Sequence, residues 1–189
     1  MIHLITGGSG SGKSALAEAL AVKAGRERFY IATMEPLGEE GMERVRKHRA
    51  MRAGKGFVTI ECYGDLGQVH LPEAAGVPGT RCVRPAGPHC RVILLECMSN
   101  VVANELFGTG GSDQAMIRRI GQGVCCLEKQ AQHLVIVTGN VFADGQDYDP
   151  ETVRYMELLA RVNRMLAERA DQVTEVVYGI PVSIKGGSI

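Results

Sequence analysis

The chain has 189 residues, of which 45% are hydrophobic and 22% charged, as in an ordinary globular protein and unlike a disordered one. Its 21 lysines and arginines equal its 21 aspartates and glutamates in number, so no net positive charge favours a nucleic acid as partner. The N-terminus lacks the features of a secretory signal, and no apolar run approaches membrane-spanning length. We therefore expect a single domain over residues 1–189, in the cytoplasm, with no membrane span and no nucleic-acid partner.

Short apolar runs alternate with helical segments along the first half of the chain. The first run, IHLIT, ends before Gly7 and predicts a buried strand, and KSALAEALAVKA predicts the helix that follows. RFYIAT predicts a second strand, residues 39–53 a helix, and FVTIEC a third strand. The segment at about 63–90 is rich in glycine and proline, and we expect an irregular surface excursion there with one short helix or strand. RVILLEC then predicts a fourth strand.

The second half continues the alternation. MSNVVANELFG and AMIRRIGQGVCCLEKQAQ predict two helices, HLVIVTGN a strand, PETVRYMELLARVNRMLAERA an amphipathic helix, and DQVTEVVYGIPVSIK one or two terminal strands. Because most of the strands are continuously apolar, we expect them to be buried on both faces of a parallel sheet. The pattern predicts an α/β fold of three layers, with a mostly parallel central sheet and helices on both faces.

The six cysteines are expected to be reduced thiols in a cytoplasmic protein. Cys62, Cys82, His89 and Cys90 lie in or beside the irregular segment and could in principle bind zinc. Their spacing lacks the paired short knuckles of structural zinc sites, and the adjacent pair at 125–126 lies in a predicted helix, where packing is the usual role. The pattern favours packing over a metal site.

The stretch GGSGSGKS fits the pattern G-x-x-x-x-G-K-S and lies directly between the first strand and the first helix. Glycines let backbone N–H groups turn inward around an anion, and the N-terminus of the following helix adds its positive dipole end. A chance glycine-rich turn is the alternative, but the strand-loop-helix context favours a phosphate-binding loop. Its lysine can reach the β- and γ-phosphates and its serine hydroxyl suits Mg²⁺. We predict that the loop is formed by Gly7, Gly8, Ser9, Gly10, Ser11, Gly12, Lys13 and Ser14.

A phosphate-binding loop usually works with a second metal-binding carboxylate at the carboxyl end of a neighbouring strand. Glu96 ends RVILLEC and is predicted to lie at that edge of the sheet, where open α/β folds bind ligands. Alternatively, it stabilises the N-terminus of the next helix through the helix dipole. We favour a role for Glu96 in binding metal or substrate.

A basic helix follows the second strand. Arg44, His48 and Arg52 are spaced four apart and share one helix face, and two guanidiniums flanking an imidazole suit a triphosphate. Positive neighbours favour a neutral, nucleophilic ring, and histidine can carry a transferred group. The alternative is a solvated charged face with Met42 and Val45 pointing inward. From charge and spacing alone, the solvated face is the more common case.

Seven motifs together resemble one family in order and approximate spacing: TGGSGSGKS, YIAT, ERVRKHRAMR, TIEC, VILLECMSNVVANELF, ARVNRMLAERADQV and VVYGIPVSIK. This family is the bifunctional adenosylcobinamide kinase / adenosylcobinamide-phosphate guanylyltransferase of cobalamin biosynthesis. The resemblance covers nearly the whole chain except about 63–90. It implies a recombinase-like P-loop NTPase fold and a homotrimer with sites near subunit boundaries.

The resemblance also implies two reactions. A nucleoside triphosphate, ATP or GTP, phosphorylates adenosylcobinamide. GTP then donates GMP to an enzyme histidine with release of pyrophosphate, and the GMP passes to adenosylcobinamide phosphate to give adenosyl-GDP-cobinamide.

Individual residues correspond to the family's functional positions. His48 matches the histidine that receives GMP, and Lys13 holds the phosphate chain. Ser14 and Glu96 are expected to position Mg²⁺. The remaining nucleotide-site residues implied by the correspondence are Thr33 and Met34 after the second strand, Arg49 and Arg52 after the histidine, and Glu61 in TIEC.

Two positions depart from the family's pattern. Lys47 stands where the family often has a first of two adjacent histidines, and Asn140 stands where it usually has the glutamate of an Asn-Glu-Val-Gly turn. Asp144 is a candidate substitute for that carboxylate. Lys47 leaves the nucleophile His48 in place and changes only its neighbour. If the carboxylate missing at Asn140 receives the corrinoid hydroxyl, its loss affects the kinase step most, which leaves open a guanylyltransferase that has lost the kinase step. A P-loop kinase of another small molecule and a nucleotide-binding regulator without turnover are also compatible with these residues.

Overall fold

A computed structural model describes residues 1–36, 38–72, 90–108, 111–141 and 147–187, without the side chains of Glu40, Arg44, Lys47, His48 and Met51. Strands and helices alternate along this part of the chain as the apolar pattern predicts. The strands are β1 (Ile2–Gly7), β2 (Glu27–Ala32), β3 (Phe57–Glu61), β4 (Arg91–Glu96), β5 (His133–Val137), β6 (Gln172–Val177) and β7 (Ile180–Lys185). The α-helices are α1 (Lys13–Ala24), α2 (Gly38–Arg52), α3 (Met98–Gly108), α4 (Asp113–Glu128) and α5 (Pro150–Arg169).

All seven strands belong to one sheet with the order β3-β2-β4-β5-β1-β6-β7. The strands from β1 to β6 are parallel, and β7 runs antiparallel to β6. Ala32 of β2 lies opposite Glu96 of β4, and Glu96 lies opposite Val137 of β5, so these strands end at the same edge. The loops after β1, β2 and β4 therefore meet there, which is where parallel sheets bind ligands.

The core has one apolar layer on each face of the sheet, because neighbouring residues of a strand point to opposite faces. Ile93 and Leu95 belong to the cluster that packs against α3, α4 and α5. Val92 and Leu94 belong to the second cluster, which packs against α1 and includes Tyr30. The predicted three-layer α/β class, with helices on both faces of a mostly parallel sheet, is confirmed.

Two helices begin at side-chain caps. The Ser112 hydroxyl accepts a hydrogen bond from the Ala115 N–H at the start of α4, and the Asp149 carboxylate accepts from Glu151 and Thr152 at the start of α5. The Thr152 hydroxyl and N–H lower the pKa of Asp149. These contacts satisfy N–H groups that have no partner inside the helix.

In three segments the structure gives more precise bounds than the sequence pattern predicted. The C-terminal stretch forms two strands, joined as a hairpin. Helix α4 ends at Glu128, four residues before the end of the predicted segment, because the side chains of Gln130 and Gln132 bind the backbone of neighbouring segments instead. Within the predicted excursion, Leu66–Gln68 forms a short 3-10 helix, and residues 73–89 lie outside the described part. In the described ranges, no helix combines the length and apolar character needed to cross a bilayer.

The close packing of α4 on the 3-10 helix gives a test of this fold. A Cβ on Gly123 would lie 2.6 Å from Leu66 Cβ, whereas one on Gly121 would meet the flexible end of Met165, at 3.1 Å from Sδ. We expect Gly123→Ala to lower the free energy of unfolding by about 1–3 kcal/mol, the usual cost of overpacking. Gly121→Ala is the matched control and should stay within about 1 kcal/mol of wild type, because alanine also favours the helix. Urea unfolding measures both, and equal stability of the two variants would contradict the packing.

Candidate nucleotide site

The loop between β1 and α1 has the geometry of an anion cradle. Gly7 packs so closely on β6 that a Cβ would lie 2.6 Å from the Val176 carbonyl oxygen, and Gly12 has a φ of 95°. Only glycine accepts both conditions without strain. Helix α1 starts directly after Gly12, and the first-turn N–H groups of a helix have no acceptor within it. The loop therefore presents backbone donors and a positive helix end to a phosphate.

Lys13 lies over this loop. Its Nζ donates to the Gly8 carbonyl oxygen at 2.8 Å, which bends the side chain back across the cradle. An ammonium group has three donors, so this contact leaves Lys13 able to bind phosphate oxygens as well.

Ser14 and Glu96 form the centre of the site. The Ser14 hydroxyl donates to Glu96 Oε1, and the Tyr30 hydroxyl donates to Glu96 Oε2 at 3.2 Å. Glu96 is the last residue of β4 and is buried. Burial and the adjacent Glu96 raise the pKa of Tyr30 far above its ordinary value, so the phenol stays protonated and remains a donor.

The chemistry of Ser14 and Glu96 fits Mg²⁺. A hydroxyl and a carboxylate are the hard oxygen ligands that Mg²⁺ takes at nucleotide sites, where phosphate and water complete the coordination. Across the described residues, no three His, Cys, Asp or Glu side chains are grouped as a metal site. Ser14 and Glu96 therefore have the ligand chemistry that Mg²⁺ needs beside the phosphate loop.

A cavity of about 690 Å³ opens between the phosphate loop and the end of α2. It brings together most of the residues that the sequence assigned to the nucleotide. Those lining it are Ser9, Gly10, Ser11, Gly12, Lys13, Ser14, Met34, Arg49, Arg52, Glu61 and Glu96, together with Tyr30, Val45, Tyr63 and Asn100 among others.

Arg52 is buried in the wall of this cavity, with only 6% of its surface exposed. Its guanidinium carbon lies 3.3 Å from the centroid of the Tyr30 ring. Within the described residues, its Nε and Nη1 have no hydrogen-bond partner. A buried guanidinium with such unpaired donors is suited to binding an anion, because leaving the donors unpaired is costly.

Arg49 has a different environment. Its Nη2 donates to Glu61 Oε1 at 2.7 Å, and the Tyr63 hydroxyl donates to Glu61 Oε2 at 3.0 Å. The Arg49 and Glu61 side chains are about half exposed, so this ion pair lies at the cavity rim and is screened by solvent. The two arginines that the sequence treated alike thus differ: Arg49 has a carboxylate partner, and Arg52 is the buried guanidinium with two unused donors.

The sequence analysis expected Thr33 at the nucleotide, but Thr33 does not line the cavity. It is fully buried, its N–H donates to the Glu96 carbonyl oxygen, and its hydroxyl donates to the Cys97 carbonyl oxygen at 2.9 Å. The Asn104 side-chain amide donates to the Thr33 and Tyr63 carbonyl oxygens at 3.0 and 2.7 Å. These contacts hold the segments after β2, β3 and β4 together. Thr33 therefore stabilises the backbone around the cavity without lining it.

The histidine at position 48 lies in α2, and its side chain is outside the described part of the structure. Val45, Arg49 and Arg52 of the same helix line the cavity. Met42, which an ordinary charged surface helix would turn inward, is 48% exposed. Of Arg44, His48 and Arg52, which the sequence places on one face, the structure describes only the side chain of Arg52, which is buried in the cavity wall. The choice between a ligand-binding face and a solvated face of α2 therefore stays a prediction.

A family model described as cobinamide kinase / cobinamide phosphate guanyltransferase matches residues 3–184. The chain belongs to this family. The bifunctional adenosylcobalamin biosynthesis protein CobU of Salmonella typhimurium is 34% identical over 98% of this chain and 100% of its own length. CobU of Escherichia coli K12 is 32% identical with the same coverage, and CobP of Pseudomonas aeruginosa is 27% identical over 98% of each chain. The crystal structure of the RadB recombinase aligns with a TM-score of 0.44 and 12% identity over 92% of this chain and 73% of that one.

Membership confirms the family that the seven motifs indicated, and with it the enzyme class: a bifunctional kinase and guanylyltransferase of cobalamin biosynthesis that uses nucleotides. The seven motifs, with their order and approximate spacing, were therefore sufficient to assign the chain to the cobinamide kinase / guanyltransferase family.

One corner of this kinase / guanyltransferase site departs from the expected pattern. The Asn140 N–H donates to the Gly7 carbonyl oxygen at 3.1 Å, and its side-chain amide donates to Glu175 Oε1 at 3.4 Å. Asp144, the substitute expected from the sequence, lies outside the described residues. The carboxylate that the structure brings to Asn140 comes from β6 instead.

Sequence reasoning missed Tyr30, Asn100 and Asn104. Tyr30 carries a hydroxyl in an otherwise apolar run, and Asn100 and Asn104 are four apart in the helix after β4, which puts them on one face. The hydroxyl in the apolar run and the spacing of the two asparagines are both visible in the sequence and could have indicated these residues.

The possible zinc site has no support within the described residues. Cys82 and His89 lie outside them, and Cys62 Sγ donates to the Gly64 carbonyl oxygen. None of the five described cysteines forms a disulfide.

The position of Glu96 gives a test of the metal assignment. We expect Glu96→Gln to weaken GTP binding in the presence of Mg²⁺ by at least about tenfold, since bonds to a charged group are worth about 1.5–3 kcal/mol. GTP binding in EDTA should change far less. Titration calorimetry measures both, and Glu27→Gln, at the opposite end of the strands, is the matched control. Equal losses with and without Mg²⁺ would count against a metal role.

Proposed function

We propose that this chain phosphorylates adenosylcobinamide and transfers GMP from GTP to adenosylcobinamide phosphate, using the cavity between the phosphate loop and α2 for the nucleotide in both reactions. The observation that carries the proposal is the buried Arg52 guanidinium, whose Nε and Nη1 have no hydrogen-bond partner among the described residues, in the same cavity as Ser14, Glu96 and the loop. Anion-binding groups thus surround the space that a triphosphate needs.

In the kinase step, the hydroxyl oxygen of adenosylcobinamide attacks the γ-phosphorus. A new P–O bond forms, the bond to the β-phosphate oxygen breaks to release the nucleoside diphosphate, and the hydroxyl proton passes to solvent. Phosphoryl transfer depends mostly on positioning and charge stabilisation, which the loop N–H groups, Lys13 and Arg52 supply. Ser14 and Glu96 would hold Mg²⁺, which neutralises phosphate charge when bound.

In the transferase step, a ring nitrogen of His48 attacks the α-phosphorus of GTP. A P–N bond forms and the bond to the pyrophosphate oxygen breaks. A phosphate oxygen of adenosylcobinamide phosphate then attacks the same phosphorus, the P–N bond breaks, and the imidazole is regenerated. Dividing the transfer in this way means that two large substrates need not be aligned with each other at once.

Helical spacing supports the assignment to His48. Position 48 comes three residues after Val45 and four before Arg52, and both of these line the cavity. In this proposal Arg52 stabilises the charge that develops on the transferred group. Arg49 pairs with Glu61 and both side chains are about half exposed, so we assign these two residues to the rim of the cavity.

We also propose that the protein is a homotrimer assembled through the C-terminal hairpin. All six residues of β7 are exposed, and within the described residues no strand pairs with its outer edge. Edge strands with apolar side chains pair readily with another chain, and a cyclic trimer closes such a contact on itself. The exposed apolar residues are Val177, Tyr178, Ile180, Val182 and Ile184, at 40%, 95%, 65%, 42% and 60%.

The histidine assignment predicts a covalent adduct. Incubation with α-labelled GTP should label wild-type protein through an acid-labile bond, and His48→Ala should show no label because the attacking nitrogen is gone. His70→Ala, a histidine on the exposed surface, is the control and should label normally. Peptide mapping locates the adduct. Unchanged acid-labile labelling of His48→Ala would remove this residue from the mechanism.

Kinase activity of the same variant separates the two reactions. Phosphorylation of adenosylcobinamide should survive in His48→Ala, since that step needs only the loop, the metal ligands and an oriented hydroxyl. An ordinary P-loop kinase would give no adduct in wild type and a different phosphorylated product. A regulatory nucleotide-binding protein would bind GTP without any cobinamide-dependent turnover.

The hairpin surface predicts how the assembly responds to charge. Ile180→Lys should convert the trimer to monomers, because it buries an ammonium in an apolar contact. Phe107→Lys is the matched control, since both side chains are 65% exposed and Phe107 is at the end of α3. Light scattering after size-exclusion chromatography measures the mass. A monomeric wild type would exclude the trimer, and a trimeric Ile180→Lys would exclude this surface.

A further inference from the structure

Tyr30 occupies a central position between the two charged parts of the site. It lies in β2 between Thr59 of β3 and Leu94 of β4, is 4% exposed, and faces the side of the sheet covered by α1. It also lines the nucleotide cavity. The proposed chemistry does not use it.

The hydroxyl end of Tyr30 fixes the carboxylate. It donates to Glu96 Oε2 at 3.2 Å, while Ser14 donates to Oε1. With one donor on each oxygen, the Glu96 carboxylate has a defined rotation about its last bond.

The ring of Tyr30 fixes the arginine. The Arg52 guanidinium carbon lies 3.3 Å above the ring centroid, within the range of a cation–π contact. Phe57 packs against Tyr30 edge to face, with centroids 6.5 Å apart and an interplanar angle of 81°. The ring therefore has a fixed orientation, and it determines where the buried guanidinium lies.

We infer that Tyr30 is a positioning residue that sets the distance between the metal carboxylate Glu96 and the phosphate-binding guanidinium of Arg52. Its hydroxyl orients one group and its ring face orients the other, so both act on the same triphosphate in a fixed relative geometry. Such preorganisation is effective because no rearrangement is needed when charge develops. The inference rests on the proposed nucleotide site, and it assigns a role to a side chain that does not itself react.

Two substitutions separate the two ends of Tyr30. Tyr30→Phe removes only the hydroxyl and keeps the ring under Arg52. We expect it to weaken Mg²⁺-dependent GTP binding by about tenfold, the equivalent of a bond to a charged group, with little change in EDTA. Tyr30→Leu also removes the ring, and we expect kcat for GMP transfer at saturating Mg²⁺ to fall by a further factor of roughly ten, in line with a buried cation–π contact.

Phe29→Leu is the structural control, because Phe29 is the preceding residue of β2, is 6% exposed and belongs to the apolar cluster on the opposite face of the sheet. It should lower the melting temperature while leaving the Mg²⁺ dependence and kcat per folded molecule near wild type. If Tyr30→Phe binds GTP with the wild-type Mg²⁺ dependence, the inference is wrong, whether or not Tyr30→Leu folds.

The same measurements distinguish this inference from the proposed function. If wild-type protein forms no GMP adduct, the proposed transfer fails, and Mg²⁺-linked GTP binding of Tyr30→Phe still decides the role of Tyr30. If wild-type protein is labelled and Tyr30→Phe matches it in Mg²⁺ dependence, only the inference fails. A loss in Tyr30→Phe that is equal with Mg²⁺ and in EDTA would also overturn it, since a purely structural effect does not discriminate between them.

Discussion

The hydrogen bond from Ser14 to Glu96 joins the first helix to the fourth strand across 82 positions of the chain, and the geometry of the site depends on it. It requires β4 to end level with the loop after β1, which the register of the parallel strands provides. It also requires a carboxylate to be buried at that edge, which is tolerated because donors satisfy both of its oxygens. Sheet order, loop conformation and the position of Tyr30 are all consistent with this one contact.

Helix α2 differs from the other helices in what it contributes. Helices α3, α4 and α5 supply apolar side chains to the core, and their stability follows from that burial. Helix α2 instead brings Arg49 and Arg52 to the cavity, and its exposed Met42 shows that the apolar pattern does not determine its orientation. Since none of its described side chains belongs to either apolar cluster, we attribute its composition to the proposed nucleotide rather than to the fold.

The sequence was sufficient to predict the features that depend on local pattern. The phosphate loop, the alternation of strands and helices, and a carboxylate at the end of RVILLEC are all encoded within short segments. What could not be predicted depends on contacts between distant segments. Nothing in the spacing of Arg49 and Arg52 indicates that one pairs with Glu61 and the other stacks on Tyr30. Likewise, Thr33 was placed at the nucleotide by correspondence, whereas its bonds to the backbone at Glu96 and Cys97 arise only once β2 and β4 are adjacent.

The turn of the C-terminal hairpin is bonded to the phosphate loop: the Gly179 N–H donates to the Ser11 carbonyl oxygen at 2.9 Å. A displacement of the hairpin would therefore act directly on the Ser11 carbonyl group, which lies in the middle of the phosphate loop. If subunits associate through this hairpin and association shifts that carbonyl, then association and nucleotide affinity alter each other by the same factor. Dilution would then act as an effector, so that apparent affinity for GTP depends on the concentration of the enzyme itself.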